Sequence, residues 1–139
     1  MAAYDPDNIF AKILRGEIPS TRVYEDEATL VFMDIMPRAP GHCLVIPKTP
    51  CRNLLDASAE QLSAVIATVQ KMSHAVMKGL GADGVTIQQF NEAPGGQEVF
   101  HLHFHVLPRH EGDKVGPPGV MGDMAEIAAI ADKIRAAVS

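Results

Sequence analysis

Apolar residues recur along this chain with two different periods, and the periods divide it into helices and strands. Ile9, Phe10, Ile13 and Leu14 fall at helical spacing. Asp5-Pro6-Asp7 ahead of them reads as the start of that helix, with Asp as the cap and Pro tolerated early, and Gly16 reads as its stop. A longer stripe of Leu62, Val65, Ile66, Val69, Met72, Val76 and Leu80 follows Ser58-Ala59-Glu60-Gln61, which has the pattern of a capping box. That stripe predicts an amphipathic helix of about five to six turns, closed by Gly79 and Gly81, with Met72 in the core and His74 and Met77 on the outer side. A third stripe, Met124, Ile127, Ile130, Ile134 and Val138, begins at a second cap-like run, Asp123-Met124-Ala125-Glu126.

The remaining apolar runs are short and have strand character. Thr21–Tyr24 and Thr29–Asp34 flank Glu25-Asp26-Glu27 and predict a hairpin. His42–Pro47 predicts a third strand after a Pro- and Gly-containing loop over Ile35–Gly41. Val85–Asn91 and Val99–Leu107 predict a fourth and a fifth, joined by the turn residues Glu92-Ala93-Pro94-Gly95-Gly96, which makes them antiparallel neighbours. Glu111–Gly119 is aperiodic and predicts a loop. Helices interspersed with hairpin-linked strands indicate an α+β fold with a mainly antiparallel five-stranded sheet. The 139 residues are expected to form one domain, with its core in 5–110 and a C-terminal loop and helix in 111–139.

Composition narrows the function classes. Hydrophobic content of 47% and charged content of 21% are those of a soluble globular protein. A net charge of −5 argues against a nucleic acid polymer as partner, which selects basic surfaces. Any phosphate contact is therefore expected to be local. Cys43 and Cys51 make no disulfide framework. The N-terminus lacks a basic-then-apolar signal pattern, and no apolar run approaches the ~20 residues that span a bilayer. A cytoplasmic protein without a membrane partner is the expectation.

Candidate chemistry is concentrated in His101-Leu102-His103-Phe104-His105-Val106-Leu107. In a strand these three histidines project from one side, with adjacent rings about 6.6 Å apart, while Phe100, Leu102, Phe104 and Val106 enter the core. Imidazole binds metals and serves as acid, base or nucleophile, so the row suits either a metal site or non-metal chemistry. Gly95-Gly96-Gln97-Glu98-Val99 leads directly into it, and glycines let a backbone present N–H groups to an anion. Asn91, at the end of the preceding strand, can face the same site. An amine leaving group on phosphorus needs a proton, which a histidine titrating near the working pH is suited to supply.

The run from Gln97 to Arg109 resembles the signature of the histidine triad (HIT) family of nucleotide hydrolases and transferases. Asp7–Ile13 with Gly16-Glu17-Ile18-Pro19 is similar to that family's N-terminal helix. Asp34-Ile35 with Pro37–Lys48 is similar to its central loop and strand, and the branch looks closest to Hint-like, or protein-kinase-C-interacting-protein-like, members. The resemblance implies a HIT-like fold, a homodimer and a nucleoside phosphoramidate substrate yielding AMP-type products, with no cofactor. It implies that His103 is the nucleophile attacking the α-phosphorus of a nucleotide. It implies that His105 contacts the phosphate and assists the leaving group, that His101 orients the nucleophile through its carbonyl, and that His42 supports this network. Asp34 and Ile35 match ribose- and base-side contacts, Ile9 and Phe10 the base pocket, and Asn91, Gln97, Glu98 and Val99 the phosphate side.

Two departures modify those expectations. Zinc-binding relatives carry cysteines where this chain has Asn8 and Ala11, and a histidine near Cys51, so at most His101 and Cys51 survive of four ligands and no metal is expected. Glu98 stands where hydrolases of the family often have Ser or Thr, and a carboxylate there repels an anion unless it points away. A dinucleoside polyphosphate hydrolase, a nucleotide-binding module with weak turnover, and a metalloenzyme using the three histidines are the competing readings.

Overall fold

The computed structural model describes residues 1–139. In chain order the elements are α1 (Ile9–Leu14), β1 (Arg22–Glu25), β2 (Thr29–Met33), β3 (Cys43–Pro47), α2 (Ala59–Leu80), β4 (Gly84–Gln88), β5 (Phe104–Arg109) and α3 (Met124–Ala137). The strands form one antiparallel sheet in the order β1-β2-β3-β5-β4. The α+β class, the five strands and the three helices match the expectation.

Strands β2 and β3 are buried at every position because both faces of the sheet are covered. Their side chains sort by the period of two. Val31, Met33, Cys43 and Val45 join α2 and α3 in the larger core, and Leu30, Phe32, Leu44 and Ile46 meet Phe10 and Ile13 of α1 in a smaller one. Helix α2 starts where Ser58 and Gln61 form the capping box, and it ends on Gly81 in the left-handed region. Val65, Val69, Met72 and Val76 bury its inner face, each contributing roughly 1.5–3 kcal/mol. Ile66 belongs to the predicted stripe but is 50% exposed, because it lies at the stripe's margin. Helix α3 adds Ile127, Ala131, Ile134 and Ala137 to the same core.

Most strand ends shift by a residue or two from the sequence reading, and three differences bear on the site or on a cap. Asn8, rather than Asp7, caps α1, its side chain accepting from the Ala11 N–H at 2.9 Å. Strand β4 stops at Gln88, so Asn91 lies in the loop. Strand β5 begins at Phe104 instead of Val99, so His101 and His103 precede the ladder. The cause is a long-range bond: the Leu102 N–H donates to the Cys51 carbonyl at 2.9 Å and draws the chain away from its neighbours. Inward alternation persists in this extended segment, with Leu102, Phe104 and Val106 in the larger core. Phe100, expected in that core, is only half-buried and lies under the Arg52 guanidinium, 4.1 Å from its ring centre.

Candidate active site

The histidines gather where β3 and β5 meet the segment before β5. His103 and His105 have ring centres 5.0 Å apart, and His42, at the entry to β3, stands 5.1 Å from His105. The rings are therefore closer than a regular strand sets them. They are also less bare than a row on a sheet flank. His101 and His42 are fully buried and His103 is 8% exposed, leaving His105 the most open. His101 turns its ring toward Tyr4 and Pro47, away from the cluster. Phe10 meets His103 edge-on at 4.9 Å, and Phe90 meets His105 at 5.6 Å.

Hydrogen bonds determine the tautomer of every ring. His101 Nε2 lies 2.9 Å from the Pro47 carbonyl, which only accepts, so Nε2 carries the proton. Its Nδ1 then accepts from the Tyr4 hydroxyl at 2.7 Å. His103 Nδ1 lies 2.7 Å from the His101 carbonyl and must donate, which leaves the lone pair on Nε2. The second chain starts from a donor. The Arg38 N–H donates to His42 Nδ1 at 3.1 Å, so His42 holds its proton on Nε2 and gives it to His105 Nδ1 at 2.9 Å. His105 consequently has its own proton on Nε2. One chain ends in a bare nitrogen and its neighbour ends in an N–H, side by side.

Burial keeps these rings neutral. It pushes His42 and His101 down to about 4 and His105 down to about 3, the last helped by the neighbouring His103, His42 and Arg38. His103 is also lowered, mainly by burial and against its bond to the His101 carbonyl. An imidazole titrating near neutrality, expected as the proton source, is thus not what the unliganded cluster holds. Asp34 is raised, first by burial, against the Met36 N–H bond and with the charge of Glu98 adding to the rise. The thiols of Cys43 and Cys51 are pushed up to about 12 by burial and are inert.

Asp34, His42 and His105 could offer three ligand atoms within 4.8 Å of one another. Their protonation opposes a metal there. His42 could present an Nε2 lone pair only by moving its proton to Nδ1, where it would face the Arg38 N–H, donor against donor.

The glycine turn and its flanks lie beside this cluster in sequence. Gln97 is buried, and its amide bonds inward to Asn53, Glu92, Arg52 and Val99. Asn91 pairs with Gln89 and accepts from the Leu54 N–H. The N–H groups of Glu98 and Val99 make no hydrogen bond within the chain. Val99 packs on the smaller core beside Phe10, whereas Ile9 and Ile35 are exposed. Two cavities, of about 180 and 420 Å³, lie elsewhere, against Arg38 and α3 and against the start of α2.

Sequence reasoning missed Tyr4, Arg38, Arg52 and Asn53. Tyr4 bonds a histidine 97 positions away, and Arg38 acts through its backbone, so neither leaves a local signal.

An antiparallel α+β domain carrying four hydrogen-bonded histidines, three buried and one half-buried, beside a glycine turn has the architecture of a histidine triad protein. The comparisons agree. The HIT domain family matches residues 15–112. A HIT-like protein of Bartonella henselae, described as involved in cell-cycle regulation and solved with an unknown ligand, superposes with a TM-score of 0.91 at 56% identity, over 97% of this chain and 99% of that one. An uncharacterised HIT-like protein of Methanocaldococcus jannaschii is 48% identical over 76% of this chain and 81% of its own length. The Arabidopsis thaliana adenylylsulfatase HINT3 is 37% identical over 77% of this chain and 54% of its own length. The chain belongs to the HIT family.

Proposed function

We propose that this protein is a nucleotide hydrolase or transferase acting at the α-phosphorus of purine nucleoside phosphoramidates, through a nucleotidyl intermediate on His103. The observation that carries the reading is the bare Nε2 of His103 beside the Nε2–H of His105. In the first step His103 Nε2 forms an N–P bond as the bond from phosphorus to the leaving nitrogen breaks. The His105 N–H donates to a phosphate oxygen or to the leaving atom. Because the free imidazoles are neutral, the proton that the departing amine takes is acquired as substrate binds. The negative charge of a phosphate raises the proton affinity of an adjacent imidazole. Water then cleaves the N–P bond, releases the nucleoside monophosphate and restores His103.

The other residues fit supporting roles. The free N–H groups of Glu98 and Val99 suit phosphate oxygens. Asp34 suits the ribose hydroxyls, and the exposed Ile9 and Ile35 offer apolar surface for a base, with Phe10 buried against His103. His101 acts through its carbonyl and His42 through His105. Asn91 and Gln97 act by shaping the turn. We further propose a cytoplasmic homodimer. The free cysteines favour a reducing compartment, and β4 is an edge strand with Ile87 exposed on it, open to a second copy.

A sulfate leaving group is the second reading, because the Arabidopsis relative is named an adenylylsulfatase. Single-turnover reaction with an adenosine phosphoramidate, adenylyl sulfate or a diadenosine polyphosphate separates the leaving groups. Mass spectrometry should find an AMP adduct on His103 with the preferred substrate and none in His103→Asn. Equal turnover in the variant would refute the covalent route. AMP binding with negligible turnover in both proteins would identify a binding module.

A further inference from the structure

The loop that bears the two free N–H groups is tied down by Arg52, Asn53 and Glu92, which the mechanism above does not use. Glu92 is the only non-glycine residue with positive φ, at φ 65° and ψ 161°. That conformation is almost confined to glycine, because a Cβ meets the neighbouring backbone. The side chain of Glu92 is held as firmly as its backbone is bent. Arg52 Nε and Nη2 donate to its two carboxylate oxygens at 2.8 and 2.9 Å, and Asn53 Nδ2 donates to it at 2.6 Å. Arg52 is itself seated over Phe100. Asn53 and Gln97, both buried, complete the frame. Asn53 Nδ2 also donates to Gln97 Oε1 at 3.0 Å, which accepts the Glu92 N–H at 2.8 Å, and Gln97 Nε2 donates to the carbonyls of Arg52 and Val99. The loop is thus fastened to residues 52–53 at Glu92 and at Gln97, and Gln97 in turn holds Val99.

We infer that Arg52 and Glu92 are positioning residues, whose ion pair holds the 92–99 loop in a strained form and so aims the Glu98 and Val99 N–H groups at the substrate phosphate. The functional half of this inference rests on the proposed nucleotide site. A two-pronged arginine–carboxylate bond fixes direction as well as distance, which a lysine cannot reproduce. Without it, Glu92 relaxes to negative φ and every residue after it swings. Strain of the size held at such positions corresponds to a population shift of about 10- to 100-fold.

The test is calorimetric titration of the full chain with AMP and with adenosine, which lacks the phosphate. Arg52→Ala and the milder Glu92→Gln should each weaken AMP about tenfold or more. Adenosine should stay within about twofold, since its contacts lie away from the loop. Arg52→Lys should not restore AMP affinity. The double variant Arg52→Ala/Glu92→Gly should recover part of it, because glycine takes φ 65° without an anchor. A role in stability alone would weaken both ligands together. That parallel loss, unchanged AMP affinity in Arg52→Ala, or no recovery in the double variant would overturn the inference. If the wild type binds neither ligand, the proposed function fails and the clamp is judged by ¹⁵N order parameters at Glu98 and Val99. A fall in Arg52→Ala would then support it, and unchanged values would sink it.

Discussion

Lowering the pH from 7 to 5 should destabilise this protein far more than its carboxylates alone would. His42 and His101 are fully buried, and burial holds each down to about 4. A histidine whose native proton affinity is depressed binds more protons in the unfolded chain. Stability is therefore complete above the ordinary imidazole value near 6.5, falls as pH drops below it, and stops falling near the native value. Each of these two histidines contributes a loss of about 3 kcal/mol across that window. Together the loss is about 7 kcal/mol, with a limiting slope of about 2.7 kcal/mol per pH unit. His103 and His105 are lowered as well and add to it. A typical domain has only 5–15 kcal/mol in all, so acid unfolding is expected near pH 4–5. Asp34 acts in the opposite sense, because its raised carboxyl holds a proton more readily in the native state. Glu25 and Asp26, which are lowered, contribute losses only at the acid end, below the ordinary carboxylate range. Urea denaturation at intervals between pH 7.5 and 5 reads the slope directly. His101→Gln should reduce that slope by about 1.4 kcal/mol per pH unit whatever it does to stability itself. Stability that stays level from pH 7 to 5 would refute the neutral-imidazole cluster.

At neutral pH, ¹⁵N chemical shifts should show His103 protonated on Nδ1 and both His42 and His105 protonated on Nε2; the opposite tautomer at His103 would remove the nitrogen proposed as nucleophile. Tyr4→Phe should cost about 1–3 kcal/mol by leaving the buried His101 Nδ1 without a donor, yet slow turnover only slightly because the His101 carbonyl still holds His103. Gly41→Ala should destabilise by more than 2 kcal/mol, roughly, as the new Cβ meets Leu80 Cδ1 at 2.5 Å and Pro108 Cγ at 2.9 Å with φ at +91°. Gly16→Ala, also at positive φ but with open space around it, should cost only about 1 kcal/mol. Urea midpoints of the two variants make the comparison, and equal losses would contradict the packing argument.

Elements governed by local chemistry were legible from the sequence. Helix α2 shows this best: Ser58 and Gln61 form the box their spacing announces, and Val65, Val69, Met72 and Val76 bury the face their period marks. The inward turn of Leu102, Phe104 and Val106 was equally legible, because side-chain alternation survives in any extended chain. Contacts joining distant segments were not. Nothing around Arg52 announces Glu92, which lies 40 positions further on, and no local signal marks Glu92 for positive φ. Nor does Tyr4 carry any sign that its hydroxyl will meet His101. The family resemblance implied the role of the His101 carbonyl, but residue types and spacing alone could not have supplied it, since backbone groups leave no trace in a pattern of side chains.

The misread start of β5 bears directly on the chemistry. A strand running from Val99 would have engaged the backbone of His101 in the ladder, its carbonyl directed at a neighbouring strand. The Cys51 carbonyl instead captures the Leu102 N–H, the ladder begins at Phe104, and the His101 carbonyl is left to accept from His103 Nδ1. That one acceptor decides which nitrogen of His103 bears the lone pair. The complementary decision at His105 also comes from backbone outside any strand, the Arg38 N–H acting through His42. Irregular backbone thus sets both tautomers, while the regular sheet brings the rings together. Departure from a local rule is the usual mark of a functional site. The failure of the strand reading at His101 and His103 is therefore an argument for the chemistry assigned to them.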